Sequence, residues 1–113
     1  MKDFLFVYRN DYKNQPIPSP EELQAHMKKW MDWISGIAAE GKLVERGAPL
    51  GNEGKVVRPG NVVTDGPYIE VKELIGGFSI VKVESYDDAV ELAKGCPVFE
   101  GGGNVEVREI NPL

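Results

Sequence analysis

The sequence predicts an α+β protein with a ferredoxin-like arrangement, in which two helices lie on one face of an antiparallel sheet. The order strand, helix, strand occurs twice, and a short hairpin followed by a polar motif separates the two halves. Each helix begins at a serine with an acidic residue three positions later, and each ends at a glycine. Since two helices cover only one face of the sheet, a second subunit is expected on the other, and we predict a homodimer.

The first half begins with a continuous apolar run, Phe4–Tyr8. Such a run is typical of a central strand that is buried on both faces. Residues 9–18 contain Asn, Asp and two prolines and are predicted to form a loop. Ser19 is expected to cap the first helix and Gly41 to end it, and Leu43–Gly47 is the short strand that follows.

The first helix is predicted to be amphipathic. His26 and Trp33 fall at one border of its apolar arc, so this border is expected to be partly exposed. The residues of the arc itself recur at helical spacing, and we expect them to face the sheet: Leu23, Met27, Trp30, Met31, Ile34, Ile37 and Ala38.

Between the two halves a hairpin is predicted, in which two Val-Val pairs flank the turn Arg58-Pro59-Gly60. In the last predicted strand, valines alternate with Glu106 and Arg108, which indicates one solvent-exposed face. The elements predicted after the central motif are a strand over Phe78–Glu84, a helix from Ser85 to Gly95, a loop over Cys96–Gly103 and a strand over Asn104–Ile110.

Composition indicates one soluble globular domain over residues 1–113, since 42% of residues are hydrophobic and 27% are charged. A formal net charge of −5 argues against a nucleic-acid partner. No apolar run is long enough to cross a bilayer, and the first ten residues lack the pattern of a signal peptide. Cys96 is the only cysteine and cannot form an internal disulfide, which suits a reducing cytoplasm.

The stretch Thr64–Gly77, TDGPYIEVKELIGG, is the most distinctive part of the sequence. Asp65-Gly66-Pro67 is a turn signal in which glycine supplies either a positive φ or room for close packing. With Glu70, Lys72-Glu73 and the closing Gly76-Gly77, the stretch resembles the DGPF branch of the YCII-related family, with Tyr68 where phenylalanine is more usual. This resemblance implies a dimeric α+β barrel in which the sheets of two subunits face each other.

The resemblance also implies a site. Members of the family have a histidine early in the first helix and an aspartate near the end of the second. In this sequence His26 lies about one turn before the first of these positions, and Cys96, just before Pro97, holds the second. Relatives are often linked to alternative sigma factors, which suits a regulatory accessory protein.

Two residues are candidates for acid–base catalysis. His26 is the only histidine, and histidine is the side chain best suited to proton transfer near neutral pH. Asp65 could orient it or act as a base. The structural alternatives are a half-buried helix residue for His26 and a turn residue for Asp65. We predict a pocket between the two, with four further residues as candidates for substrate binding: Trp30, Tyr68, Glu70 and Lys72.

Two functions follow from these candidates. The first is an enzyme with lyase-like or isomerase-like acid–base chemistry on a small polar or aromatic molecule, without a cofactor. The second is a non-catalytic dimer that binds a ligand or acts as a regulatory accessory. The sequence has no Cys/His cluster, so no metal site is expected. Cys96 lacks an electropositive helix N-terminus and is expected to be unreactive.

Overall fold

The computed structural model describes residues 1–10, 18–66 and 74–113. In the part of the chain it describes, the elements are β1 (Lys2–Arg9), α1 (Pro20–Ala39), β2 (Leu43–Glu45), β3 (Gly54–Arg58), β4 (Val62–Gly66), β5 (Ile75–Val83), α2 (Tyr86–Ala93), a 3₁₀ helix (Pro97–Gly101) and β6 (Asn104–Glu109). The order confirms the predicted succession of two strand–helix–strand halves around a hairpin.

The main sheet has four strands in the order β2-β5-β1-β6, and β3 and β4 form a separate two-stranded sheet. Every neighbouring pair in the main sheet is antiparallel. Phe4 pairs with Val81 of β5 on one side and with Glu109 of β6 on the other. This is the predicted ferredoxin-like sheet, with β1 and β5 at its centre.

Both helices pack on the same face of this sheet, as predicted. Alternate residues of β1 and β5 point to that face, because side chains alternate between the two faces of a strand. The buried core on this side contains Phe4, Phe6, Tyr8, Ile37, Val81, Val83, Ala89, Ala93, Cys96 and Val98. Val105 and Val107 of β6 pack against it, so their alternation with charged residues was interpreted correctly.

The serine caps are present at both helices. The Glu22 amide donates to Ser19 Oγ at 3.1 Å, and the Asp88 amide donates to Ser85 Oγ at 3.2 Å. Gly41, just after the end of α1, has a φ of +71°, which glycine adopts readily. These local signals fixed the limits of the helices.

The buried face of α1 differs from the predicted arc. Trp30, Trp33 and Ile37 pack against the core, whereas the side chain of Met27 is 60% exposed and that of Met31 is also exposed. The two indole rings bring far more apolar area than the methionines, so the helix turns its tryptophan side to the sheet. Trp33, predicted at a partly exposed border of the helix, is half-buried and packs against the core.

The turn predicted at Asp65-Gly66 is a strand in the structure. Asp65 pairs with Lys55 and Gly66 with Gly54, so both residues belong to β4, while Pro67 lies outside the described residues. Gly66 is not among the glycines with positive φ; a Cβ atom there would lie 2.7 Å from Val56 Cγ2. Close packing against β3 therefore explains this glycine. The loop predicted over Cys96–Gly103 contains the 3₁₀ helix.

Among the described residues, no helix is both long enough and apolar enough to cross a membrane.

Candidate functional site

A cavity of about 470 Å³ opens between α1, the loop after β2 and the start of β5. Its lining combines aromatic and thioether side chains with a few polar groups, a composition typical of small-molecule sites. The residues that line it are Tyr8, Asn10, His26, Met27, Trp30, Met31, Ile34, Ser35, Ala38, Arg46, Gly47, Ala48, Pro49, Gly76, Gly77, Phe78 and Ser79.

Small residues on the sheet side leave room for this cavity. Gly77 lies opposite Tyr8 in the register of β5 and β1. A Cβ atom on Gly77 would lie 3.0 Å from the Ala48 carbonyl oxygen, and the Leu50 amide donates to the Gly76 carbonyl at 2.8 Å. The paired glycines therefore let the loop after β2 approach the backbone of β5, which fixes one wall of the cavity.

Aromatic rings form the opposite wall. The Tyr8 and Trp30 rings meet edge to face, with centroids 4.8 Å apart and planes at 83°. Trp33 lies behind Trp30 at 5.8 Å, and its indole N–H donates to the Leu92 carbonyl at 3.1 Å. Trp33 is therefore fixed against α2, and Trp30 is the tryptophan that faces the cavity.

The His26 imidazole is held from two sides. Trp30 Nε1–H donates to His26 Nε2 at 2.9 Å. Since an indole nitrogen can only donate, Nε2 must carry the lone pair and the proton must be on Nδ1. Nδ1 lies 3.8 Å from Glu100 Oε2, in the 3₁₀ helix. These contacts select one tautomer and place a carboxylate behind the imidazole.

Glu100 is also paired with Lys29, whose Nζ lies 2.8 Å from Oε1. The hydrogen bond from Lys29 is the main cause that lowers the pKa of the Glu100 carboxyl, and His26 lowers it further. Glu100 is therefore charged at neutral pH.

Two side chains of the sheet that line the cavity, Tyr8 and Ser79, carry hydroxyl groups. Ser79 Oγ donates to the Arg46 carbonyl at 2.6 Å. The Tyr8 hydroxyl is buried and has no hydrogen-bond partner among the described residues. Burial raises the pKa of Tyr8, while the nearby Ser79 hydroxyl lowers it to a smaller extent. Tyr8 is therefore a neutral phenol that can donate a hydrogen bond.

Comparison with known proteins gives a family for this chain. The YCII-related domain matches residues 1–113. The chain belongs to the YCII-related family. This confirms the resemblance inferred from the central motif.

No curated protein matched the chain. Among solved structures, 5-chloro-2-hydroxyhydroquinone dehydrochlorinase (TftG) from Burkholderia phenoliruptrix AC1100, in complex with 2,5-dihydroxybenzoquinone, is 18% identical. The match covers 97% of this chain and 95% of that one, with a TM-score of 0.48. An identity and a score this low do not extend that enzyme's reaction to the present protein.

The structure of this YCII-related protein brings some of the predicted site residues together. His26 and Trp30 line the cavity and are bonded to each other. Asp65 is not among the lining residues; its exposed carboxylate is ion-paired with Lys55 across the hairpin. No contact among the described residues supports the predicted His26–Asp65 pair. The other predicted substrate-binding residues, Tyr68, Glu70 and Lys72, lie outside the part that the structure describes.

The carboxylate beside His26 belongs to a residue that the sequence analysis did not single out, Glu100. The family pattern implies an aspartate where this chain has Cys96. Cys96 is buried, and burial raises its pKa to about 12, so it is an uncharged thiol at neutral pH. It cannot replace a carboxylate. The carboxylate that lies near His26 Nδ1 belongs to Glu100, in the 3₁₀ helix.

Tyr8, Arg46 and Ser79 are further lining residues that were missed. Tyr8 was interpreted as part of an apolar strand. A tyrosine in a fully buried run was the available signal, since its hydroxyl needs a partner. Ser79, between Phe78 and Ile80 in the strand, carries the same signal. No group of three metal-binding side chains occurs among the described residues.

Proposed function

We propose that this protein binds a small, flat ring compound in the cavity and performs acid–base chemistry of the lyase or isomerase type on it. The observation that carries the proposal is the His26 imidazole, which lines the cavity with a carboxylate 3.8 Å behind its Nδ1 atom. A carboxylate in this position stabilises the imidazolium that forms when Nε2 accepts a proton. Trp30 and Tyr8 supply ring faces and edges against which a flat ligand packs.

Proton transfer at His26 Nε2 requires the Trp30 indole to leave it. The indole N–H occupies the lone pair that a base would use. A ligand that packs against Trp30 and offers an acidic proton would replace the Trp30 N–H as the hydrogen-bond donor to His26 Nε2. The hydrogen bond from Trp30 therefore orients the His26 imidazole.

The alternative is a non-catalytic protein that only binds a ligand. The same Trp30 contact favours it, because an imidazole whose Nε2 stays occupied transfers no proton. The two functions share the cavity and differ only in what His26 does after binding.

Binding is tested by titrating small aromatic acids and phenols against tryptophan emission, since Trp30 lines the cavity. Ala38→Phe fills part of the lining and should weaken binding several-fold. Ala39→Phe is the matched control, because the neighbouring alanine is also exposed but does not line the cavity. Equal effects of the two substitutions would place binding elsewhere.

Catalysis is tested with phenylpyruvate, which has exchangeable protons beside a carbonyl group. NMR in D₂O measures their replacement by deuterium above the rate in buffer. His26→Gln should abolish the enzymatic exchange and leave binding within a few-fold, and Glu100→Gln should slow it. Binding without exchange above the buffer rate would leave the non-catalytic alternative.

We also propose that the protein acts as a homodimer through the face of the sheet opposite the helices. Leu5 pairs with Ile80 and Val7 with Phe78, so these four side chains share that face. Val7 is 9% exposed and the other three are half-buried. An isologous contact would bury this apolar strip.

Ile80→Lys should give a monomer in light scattering. Val90→Lys, on the exposed side of α2, should leave the dimer intact. A wild-type monomer at micromolar concentration would reject the dimer.

A further inference from the structure

The Tyr8 hydroxyl is a buried polar group in the wall of the cavity. Tyr8 is 6% exposed, and its hydroxyl has no hydrogen-bond partner among the described residues. A buried hydroxyl without a partner lowers stability, because folding removes its hydrogen bonds to water and returns none. Phenylalanine would fill the same space without this cost. A hydroxyl kept at this cost points to a hydrogen-bond partner that the described residues do not supply.

The neighbouring groups restrict what that use is. Ser79 also lines the cavity and donates its proton to the Arg46 carbonyl, so its Oγ is a neutral acceptor. It is near enough to lower the pKa of Tyr8, but it forms no hydrogen bond of ordinary geometry with the Tyr8 hydroxyl. Tyr8 stays protonated at neutral pH, since burial raises its pKa. The group that Tyr8 can bind in the cavity is thus an acceptor, and a negatively charged oxygen accepts the strongest hydrogen bond.

The rings around Tyr8 place this donor beside the surface on which a flat ligand would lie. Its ring meets Trp30 edge to face at 4.8 Å, and the Trp30 N–H is directed away to His26 Nε2. The indole therefore contributes apolar surface but no free donor. Of the two rings, Tyr8 is the one whose donor makes no hydrogen bond of ordinary geometry with the described residues.

We propose that Tyr8 donates a hydrogen bond to a carbonyl or phenolate oxygen of the bound ring compound, and so selects ligands that present such an oxygen. This inference rests on the proposed function of the cavity as a ligand site. It adds the class of ligand, a ring bearing an acceptor oxygen, and the residue that recognises it. Proton transfer by His26 is not required for it.

The probe is para-nitrophenol, because its ionised form absorbs visible light and its neutral form does not. Binding beside a hydrogen-bond donor stabilises the ionised form and lowers the pH at which the colour appears. The comparison compound is para-nitroanisole, which has the same ring but a methyl ether in place of the ionisable oxygen. Tryptophan emission reports the binding of both compounds independently of colour.

Tyr8→Phe removes only the hydroxyl. We expect it to weaken binding of the nitrophenolate about tenfold or more, the usual effect of losing a hydrogen bond to a charged group. Binding of para-nitroanisole should change much less. The thermal midpoint of Tyr8→Phe should stay equal to that of the wild type or rise, since the substitution removes an unpaired buried group.

Tyr86→Phe is the matched control. The Tyr86 hydroxyl accepts a hydrogen bond from the Glu109 amide at 2.8 Å, and Tyr86 does not line the cavity. This substitution should lower the thermal midpoint and leave nitrophenolate binding unchanged. Weaker binding without a lower thermal midpoint in Tyr8→Phe would indicate a hydroxyl that serves a ligand. A lower thermal midpoint without weaker binding in Tyr86→Phe would indicate a hydroxyl that serves stability.

The outcomes separate this inference from the proposed function. If the nitrophenolate binds the wild type and Tyr8→Phe equally, the role of Tyr8 is wrong while the cavity remains a ligand site. If Tyr8→Phe is destabilised as much as Tyr86→Phe, its hydroxyl is structural and the inference also fails. If neither compound binds the wild type, the cavity is not a site for ring compounds, and both proposals fall.

Discussion

Replacing Gly47 with alanine measures how firmly the loop after β2 is held against β5. Gly47 has a φ of +78°, and a Cβ atom there would lie 1.6 Å from the Phe78 carbonyl oxygen. The left-handed backbone alone costs an alanine about 1 kcal/mol. The collision is relieved only if the loop moves off β5, which breaks the bond from Ser79 Oγ to the Arg46 carbonyl, worth about 1 kcal/mol, and uncovers Phe78. We expect the free energy of unfolding to fall by about 3 kcal/mol or more.

Gly41→Ala is the control for the backbone part of this cost. Gly41 has a φ of +71°, but no atom lies within 4 Å of an added Cβ atom. It should lose only about 1 kcal/mol. Urea denaturation followed by tryptophan emission measures both variants. A loss at Gly47 no larger than that at Gly41 would refute the reasoning, because the loop would then move away from β5 at little cost.

Three further predictions concern α1 and the residues near it. Ser19→Ala should lower the free energy of unfolding by about 1 kcal/mol, because the first turn of α1 loses its cap; an unchanged urea midpoint would contradict this. Lys29→Ala should raise the pKa of Glu100, since the Lys29 hydrogen bond is the largest cause that lowers it; NMR titration of the Glu100 carboxyl in both proteins measures the change. As this pKa is lower in the folded state, the contribution of Glu100 to stability is present above the unfolded pKa and is lost as pH falls through the folded pKa. Cys96 should resist iodoacetamide at neutral pH until the protein unfolds, because burial raises its pKa to about 12; rapid labelling of the native protein, seen by mass spectrometry, would contradict this.

The features that the sequence predicted correctly depend on neighbours along the chain. Ser19 and Ser85 cap their helices through amides three residues later, so the signal and its partner lie in one short segment. The apolar run of β1 and the alternation in β6 depend on the period of a strand in the same way. Element order, and with it the fold, therefore followed from local patterns.

The errors arose where a distant segment decides the outcome. Asp65 and Gly66 read locally as a turn, but pairing with β3 keeps them in a strand. The predicted apolar arc of α1 gave every apolar residue the same weight. In the structure Trp33 packs against the core and Met27 does not.

The candidate site shows the same limit. Glu100 meets His26 only because the 3₁₀ helix packs beside α1, and nothing in the sequence near either residue indicates this contact. Tyr8 and Ser79 belong to strands that are far apart in sequence and adjacent in the sheet. Their hydroxyls become neighbours only when the sheet forms, so the cavity could not be assembled from sequence spacing.

The central position of β1 has a consequence for how the protein is made. Arg9 of β1 and Glu106 of β6 are hydrogen-bonded across 97 residues of sequence. At typical rates of translation, β6 is synthesised roughly 5 to 20 s after β1. Through this interval the apolar strand β1 has no β6 to pair with. The sheet forms only when segments distant in sequence come together, which slows folding. The nascent chain is therefore most prone to aggregate at Phe4–Tyr8, where a ribosome-associated chaperone would have the most to protect.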